Sequence, residues 1–214
     1  MNFASGFASI TAMAIVLLAR VVTAVRAIWD GVEPVPSNRV YFANHTSNGD
    51  FVLIWTVLPP PLRRRTRPVA AADYWLTSKA RTFIGREVFN AVLIDRNPET
   101  REDDPVTQMA SALDEGSSLI IFPEGTRNTG DEALLPFKSG LFHLATQRPE
   151  VDLVPVWIEN LNHVMPKGEV FPIPLICTVR FGEAMRLDAG ESKDAFLARG
   201  REALLALKEK GSEA

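Results

Sequence analysis

Six short apolar runs, at 40–43, 69–72, 91–94, 118–122, 153–158 and 176–181, are separated by stretches that carry helix signals, and this alternation most constrains the fold. An apolar strand must bury its faces against another layer, so the pattern predicts an α/β fold: a single mixed sheet flanked by helices. Helices are expected at 50–58, ending at Pro59-Pro60-Pro61, and at 77–89, which is amphipathic. A third is expected after Asp104, a capping residue followed by Pro105 at the first helical position and by Gly116 beyond the end. Two more are expected at 138–147 and from Ser192 onward, the last with Phe196, Leu197, Leu204, Leu205 and Leu207 on its inner face. No repeat, linker or low-complexity stretch interrupts the order.

With 214 residues the chain is long enough for one domain with a substantial core. A net charge of −3 carries no nucleic-acid signature. The single cysteine, Cys177, lies in an apolar alternation and reads as a buried strand thiol, which excludes a disulfide framework. Three histidines and one cysteine show no metal-ligand spacing: His143 sits inside an apolar helix pattern and His163 in a loop pattern. No glycine-rich phosphate loop or dinucleotide fingerprint occurs either.

The N-terminus is apolar from Phe3 to Ala19, and Arg20 is the first charged side chain. The nineteen residues that precede Arg20 would reach about 28 Å as a helix, roughly one hydrocarbon core. Ser5, Gly6, Ser9 and Thr11 dilute the run, and the apolar pattern continues past Arg20 to Trp29. It therefore suits either a span or a helix lying in one leaflet, with Arg20 and Arg26 snorkelling to phosphates and Trp29 at the interface. A buried core helix is the competing reading. The expected division is an anchoring helix at 1–30 and an α/β domain at 31–214. Positive charge just after the apolar run places that domain on the cytoplasmic side. A second basic tract, Arg63, Arg64, Arg65 and Arg67, reads equally as a solvated loop or as a contact with anionic head groups. The stretch 170–175, apolar and broken by proline, reads as a cover for the core or a contact with acyl chains.

Directly after the first apolar run come Asn44-His45-Thr46-Ser47-Asn48-Gly49-Asp50. One tight turn between strand and helix would bring His45 and Asp50 together. The carboxylate would then accept the proton of one ring nitrogen and leave the other as a general base. No G-x-S-x-G elbow is present, so the hydroxyl to be deprotonated must arrive on a substrate. Phe122 to Arg127 follows another apolar run, and Ile94-Asp95-Arg96 ends a third. Polar groups at the ends of strands are where open α/β sheets bind ligands, so three strand ends are expected to face one crevice.

These residues resemble the lysophosphatidate acyltransferase family of glycerolipid acyltransferases, whose signature has four blocks. The N-H-x-x-x-x-D block is met by Asn44, His45 and Asp50, the F-P-E-G-T-R block by residues 122–127, and the V-P-V strand by Val154-Pro155-Val156. The second block is met only in part: Ile94-Asp95-Arg96 matches its end, with Asn90 and Ala91 where a glycine is usual and Gly85 further back. The resemblance covers roughly 38–182 and implies a glycerolipid acyltransferase-like fold.

It also implies transfer of a fatty acyl group from acyl-CoA or acyl carrier protein to a lysophospholipid, chiefly 1-acylglycerol-3-phosphate, at a bacterial inner membrane, with no cofactor beyond the thioester co-substrate. His45 is then the base and Asp50 its orienter. Arg96 and Arg127 form the phosphate cradle, since a guanidinium grips phosphate through two hydrogen bonds. Glu124 is assigned to holding Arg127 or a glycerol hydroxyl, Gly125 to close backbone approach, Thr126 to a hydroxyl contact and Lys138 to phosphate, with Asn44 beside them in the substrate site. Glycerol 3-phosphate and a lyso-ornithine lipid remain alternative acceptors. A thioester or ester hydrolase using the same dyad, and a non-catalytic membrane adaptor, are the competing classes.

Overall fold

The computed structural model describes residues 3–97, 99, 101, 103–159 and 177–212. The order is α1 (Phe3–Thr23), β1 (Arg26–Trp29), β2 (Arg39–Ala43), α2 (Asp50–Val57), α3 (Pro60–Arg63), β3 (Thr66–Ala71), α4 (Ala72–Trp75) and α5 (Lys79–Phe83). A π-turn (Ile84–Val88) leads into β4 (Val92–Ile94), α6 (Pro105–Asp114), β5 (Ser118–Ile121), α7 (Gly140–Gln147), β6 (Asp152–Glu159), β7 (Thr178–Phe181) and α8 (Lys193–Ser212). One seven-stranded sheet runs β1-β7-β6-β2-β5-β3-β4. The strands from β6 to β4 are mutually parallel, while β7 is antiparallel to β6 and carries β1 in parallel. The sheet is thus mixed and single.

β2 is central and all five of its residues are buried, as expected for a strand covered on both faces. The pleat sends Val40 and Phe42 toward Met109, Leu113, Leu141 and Phe196 of α6, α7 and α8. It sends Tyr41 and Ala43 toward Phe51, Ile54 and Trp55 of α2, and α1 packs outside that layer through Ala12, Ile15, Val16 and Val22. Asp104 caps α6 by accepting from the N–H groups of Val106 and Thr107. Gly116, at φ +81°, ends it.

Four sequence expectations change. The N-terminal helix stops at Thr23, and Arg26–Trp29 joins the sheet instead of extending an anchor. Trp29 stacks on Phe181 with ring centroids 4.0 Å apart, so it is a sheet residue and not an interfacial anchor, and Arg26 is a strand residue. β3 begins at Thr66, ahead of Pro68. The missing N–H of Pro68 is tolerated because β3 pairs with β5 over 66–68 and with β4 over 69–71. The amphipathic stretch 77–89 is broken into α5 and the π-turn, where Gly85 lies against Trp75.

The fourth change concerns the basic tract. Arg63 donates to the carbonyls of Trp55, Thr56 and Leu58, which closes the open C-terminus of α2. Arg65 donates to Gly116 O, and Arg67 to Asn90 O and to Glu115. Three of the four arginines are therefore occupied by the fold itself. The expectations for His163 and for 170–175 lie outside the described residues.

Candidate active site

The turn from β2 to α2 behaves as its spacing predicts. Asp50 opens α2 and is fully buried. Its Oδ2 accepts from His45 Nδ1 at 2.9 Å, from Thr46 N–H at 2.7 Å and from Ser47 N–H at 2.9 Å. An oxygen that takes two backbone N–H groups at a helix N-terminus acts as an acceptor. The ring nitrogen facing it is therefore the donor, so the ring proton sits on Nδ1 and the lone pair on Nε2. Nε2 makes no hydrogen bond with any described residue, and the side chain keeps 19% of its surface open. The ring is further fixed by Phe122, which stacks on it with centroids 4.1 Å apart and planes 17° from parallel.

β5 lies beside β2, so the loop after β5 reaches the same end of the sheet. Glu124, 1% exposed, accepts from His45 N–H through Oε1 and from Leu135 N–H through Oε2, both at 2.8 Å. Asn128 N–H donates to His45 O at 2.7 Å. The backbone of His45 is thereby clamped on both sides. Burial pushes the Glu124 carboxyl above its usual range, opposed by the two N–H groups and by nearby His45. This corrects the assignment of Glu124 to Arg127 or to a substrate hydroxyl: both its oxygens are turned inward onto backbone.

Asn44 is corrected in the same way. It is buried, and its amide donates to Ile158 O and accepts from Ile158 N–H, extending the β2–β6 ladder by a side chain. That leaves no open substrate contact.

Between the two clamps, Gly125, Thr126 and Arg127 form an exposed bulge beside His45. Gly125 has φ +69°, and a Cβ there would lie 3.1 Å from Lys138 Cγ. Lys138 is tied to this loop by its N–H to Pro123 O at 2.7 Å. Arg127 and Lys138 are thus both brought to the dyad, exposed, and make no side-chain ion pair among the described residues.

Arg96 is not brought there. It follows β4, three strands from β2 and so about 14 Å away across the sheet. Its guanidinium pairs with Asp73 at 2.6 Å. Two strand ends, not three, converge on the histidine.

The sequence assigns no role to Phe122 or Asn128. Phe122 opens the conspicuous block 122–127 and Asn128 follows it directly, and that position is the available signal. Cys177 is fully buried, as expected, and its thiol is pushed up to about 11 by burial and by the charge of Asp50.

The Acyltransferase family model matches residues 27–159, a stretch that begins in β1 and contains every residue of the dyad and its clamps. The chain belongs to the Acyltransferase family. Among the relatives it resembles, the 1-acyl-sn-glycerol-3-phosphate acyltransferase of Escherichia coli is 31% identical over 133 residues, covering 59% of this chain and 49% of that protein. The enzyme of the same name from Cocos nucifera is 29% identical over 167 residues, covering 77% of this chain and 51% of that one. The chain spans about half the length of the curated relatives it matches. Among solved structures, the 1-acyl-sn-glycerophosphate (LPA) acyltransferase PlsC from Thermotoga maritima shares the fold, with a TM-score of 0.71 at 20% identity, covering 99% of this chain and 84% of that one. For this member of the family, α1 lies outside the matched stretch.

Proposed function

We propose that this chain transfers a fatty acyl group from an acyl thioester, acyl-CoA or acyl carrier protein, to the free hydroxyl of 1-acylglycerol-3-phosphate, yielding phosphatidate. The observation that carries the reading is the His45–Asp50 pair, tautomer-fixed and clamped, with Nε2 free at the end of the sheet. Nε2 takes the hydroxyl proton as the oxygen attacks the thioester carbonyl. The C–S bond of the tetrahedral intermediate then breaks, and the imidazolium returns the proton to the departing thiolate. Asp50 holds the ring through both steps and stabilises its charged form. Arg127 and Lys138 are the phosphate cradle, the first as a bidentate fork and the second as a point charge. Thr126, next to Arg127 in the exposed loop, offers a hydroxyl. Relatives bearing the 1-acyl-sn-glycerol-3-phosphate acyltransferase name support the choice of acceptor.

In this proposal the reaction takes place at a membrane surface, on the cytoplasmic face of a bacterial inner membrane. Over 6–23, α1 has a mean hydropathy of 1.9 and is long and apolar enough to cross a bilayer. One face of it packs on the domain, however, while Phe7, Ile10, Met13, Leu17, Leu18 and Val21 are each more than 60% exposed. A helix held to the domain along its length and apolar on the outside lies in one leaflet.

Purified protein, given an acyl-CoA and a panel of lysophosphatidate, glycerol 3-phosphate and lyso-ornithine lipid, should form phosphatidate from the first, as read by mass spectrometry. Release of CoA at the same rate without any acceptor would identify a hydrolase instead. Preferred acylation of another panel member would reassign the cradle.

A further inference from the structure

The exposed apolar surface does not end at α1. Phe7 of α1 meets Phe83 of α5 with ring centroids 5.4 Å apart, and α5 continues back into the turn after α4. Tyr74, in α4, is 40% exposed and Leu76, just after it, 43%; with Val35 they are the exposed large apolar side chains outside α1 among the described residues. The next residues, from Thr77 to Arg81, are all exposed. Trp75, between them, turns inward against Phe51 and Phe89 and roots the turn in the core. A short segment is thus held from below and presents two large apolar groups outward, beside a face already apolar.

From Tyr74 to Arg86 every charged side chain is basic, and the flanking acids are Asp73, which pairs with Arg96, and Glu87. Lys79, Arg81 and Arg86 are exposed, and none pairs with a carboxylate among the described residues. Arg81 lies over the Tyr74 ring at 4.5 Å and donates to Thr77 Oγ1, which leaves its positive charge unneutralised. The basic tract 63–67, by contrast, is largely consumed by backbone carbonyls. Exposed apolar side chains rimmed by free cations, continuous with the outer face of α1, fit one occupant: the head-group layer of an anionic bilayer.

We infer that the segment 74–81, the turn between α4 and α5 with the adjoining ends of both, is a second membrane contact that docks the domain flat against anionic lipid beside α1 through Tyr74, Leu76, Lys79 and Arg81. The inference rests on the one-leaflet reading of α1. Because α4 follows β3 directly, at the end of the sheet where His45 and Arg127 lie, this contact would turn the mouth of the site toward the lipid.

The test uses the full chain and vesicles of phosphatidylcholine with and without phosphatidylglycerol. An environment-sensitive dye on Ala80→Cys should shift to the blue when anionic vesicles are added; buried Cys177 does not compete for the label. Lys79→Ser with Arg81→Ser should weaken binding to anionic vesicles by about 25-fold, near fivefold per basic residue, and leave binding to neutral vesicles almost unchanged. Leu76→Ser should weaken both by up to about tenfold. In the control, Leu17→Asp with Leu18→Asp breaks the α1 contact. If that control releases the protein while the dye never shifts and the Lys79/Arg81 variant binds like wild type, the turn stays in water and this inference fails alone. If the wild-type chain floats with neither vesicle, the one-leaflet reading fails with it.

Discussion

At the scale of single residues, the site separates groups that act from groups that hold. His45 is the acting group: His45→Ala should lower turnover by about two to four orders of magnitude, and it should also lower the melting temperature somewhat, because Phe122 loses its stacking partner and buried Asp50 loses one of its donors. Asp50→Asn should be nearly as damaging and should also cost stability, since Thr46 and Ser47 N–H lose a charged acceptor. Glu124→Gln behaves differently. One carboxylate oxygen becomes an NH₂ facing a backbone N–H, so His45 or Leu135 is left unpaired in a buried site, at about 1–3 kcal/mol. Chemical unfolding should register that loss and kcat should fall, with the lysolipid KM little changed. Arg127→Ala should do the reverse, raising the lysolipid KM with a smaller effect on the acyl-donor KM, and Lys at that position should restore only part. A normal lysophosphatidate KM in Arg127→Ala would move the cradle elsewhere.

At the scale of elements, α1 has two faces with different work, and adjacent residues should report them separately. Val16 packs against the α2 layer while Leu17 is 65% exposed. Val16→Asp places a carboxylate in that contact and should destabilise the domain by about 1–3 kcal/mol. Leu17→Asp should leave the unfolding curve in place and shift protein from the vesicle pellet to the supernatant. Identical behaviour of the two variants would mean that both faces are buried, or that neither is. The boundary of α1 also matters for truncation. Removing residues through 28 would take most of β1 with α1 and strip the sheet edge from β7, so an anchor deletion must end before Arg26.

At the scale of the whole molecule, the core imposes a pH dependence through a residue far from solvent. Cys177 has a thiol pKa raised from 9.0 to about 11. The unfolded chain therefore releases this proton first, so stability is complete below pH 9 and falls as pH rises toward 11. Near pH 10 the loss should be about 1.4 kcal/mol relative to Cys177→Ala, each compared with its own value at pH 7.5 in urea unfolding. Equal alkaline slopes for the two proteins would show that the thiol does not sense the core.

What the residues alone settle here are features carried by local spacing. The six apolar runs became six strands, Asp104 with Pro105 and Gly116 set the limits of α6, and the His45–Asp50 dyad closes over a single turn. Each of these is decided within a few residues, where steric and hydrogen-bonding rules act regardless of the rest of the chain. Only the tertiary structure decides what depends on which strand lies beside which. β5 is the neighbour of β2, so Glu124 and Asn128 clamp His45. β4 is at the far edge, so Arg96 finds Asp73 instead of the site. Asn44 and the arginines at 63, 65 and 67 look like ligand groups in one dimension, yet unpaired buried or helix-terminal backbone groups claim them first. The short apolar stretch at 26–29 likewise has no local signal separating helix from strand. It becomes β1 because the outer edge of β7 offers it an unpaired ladder.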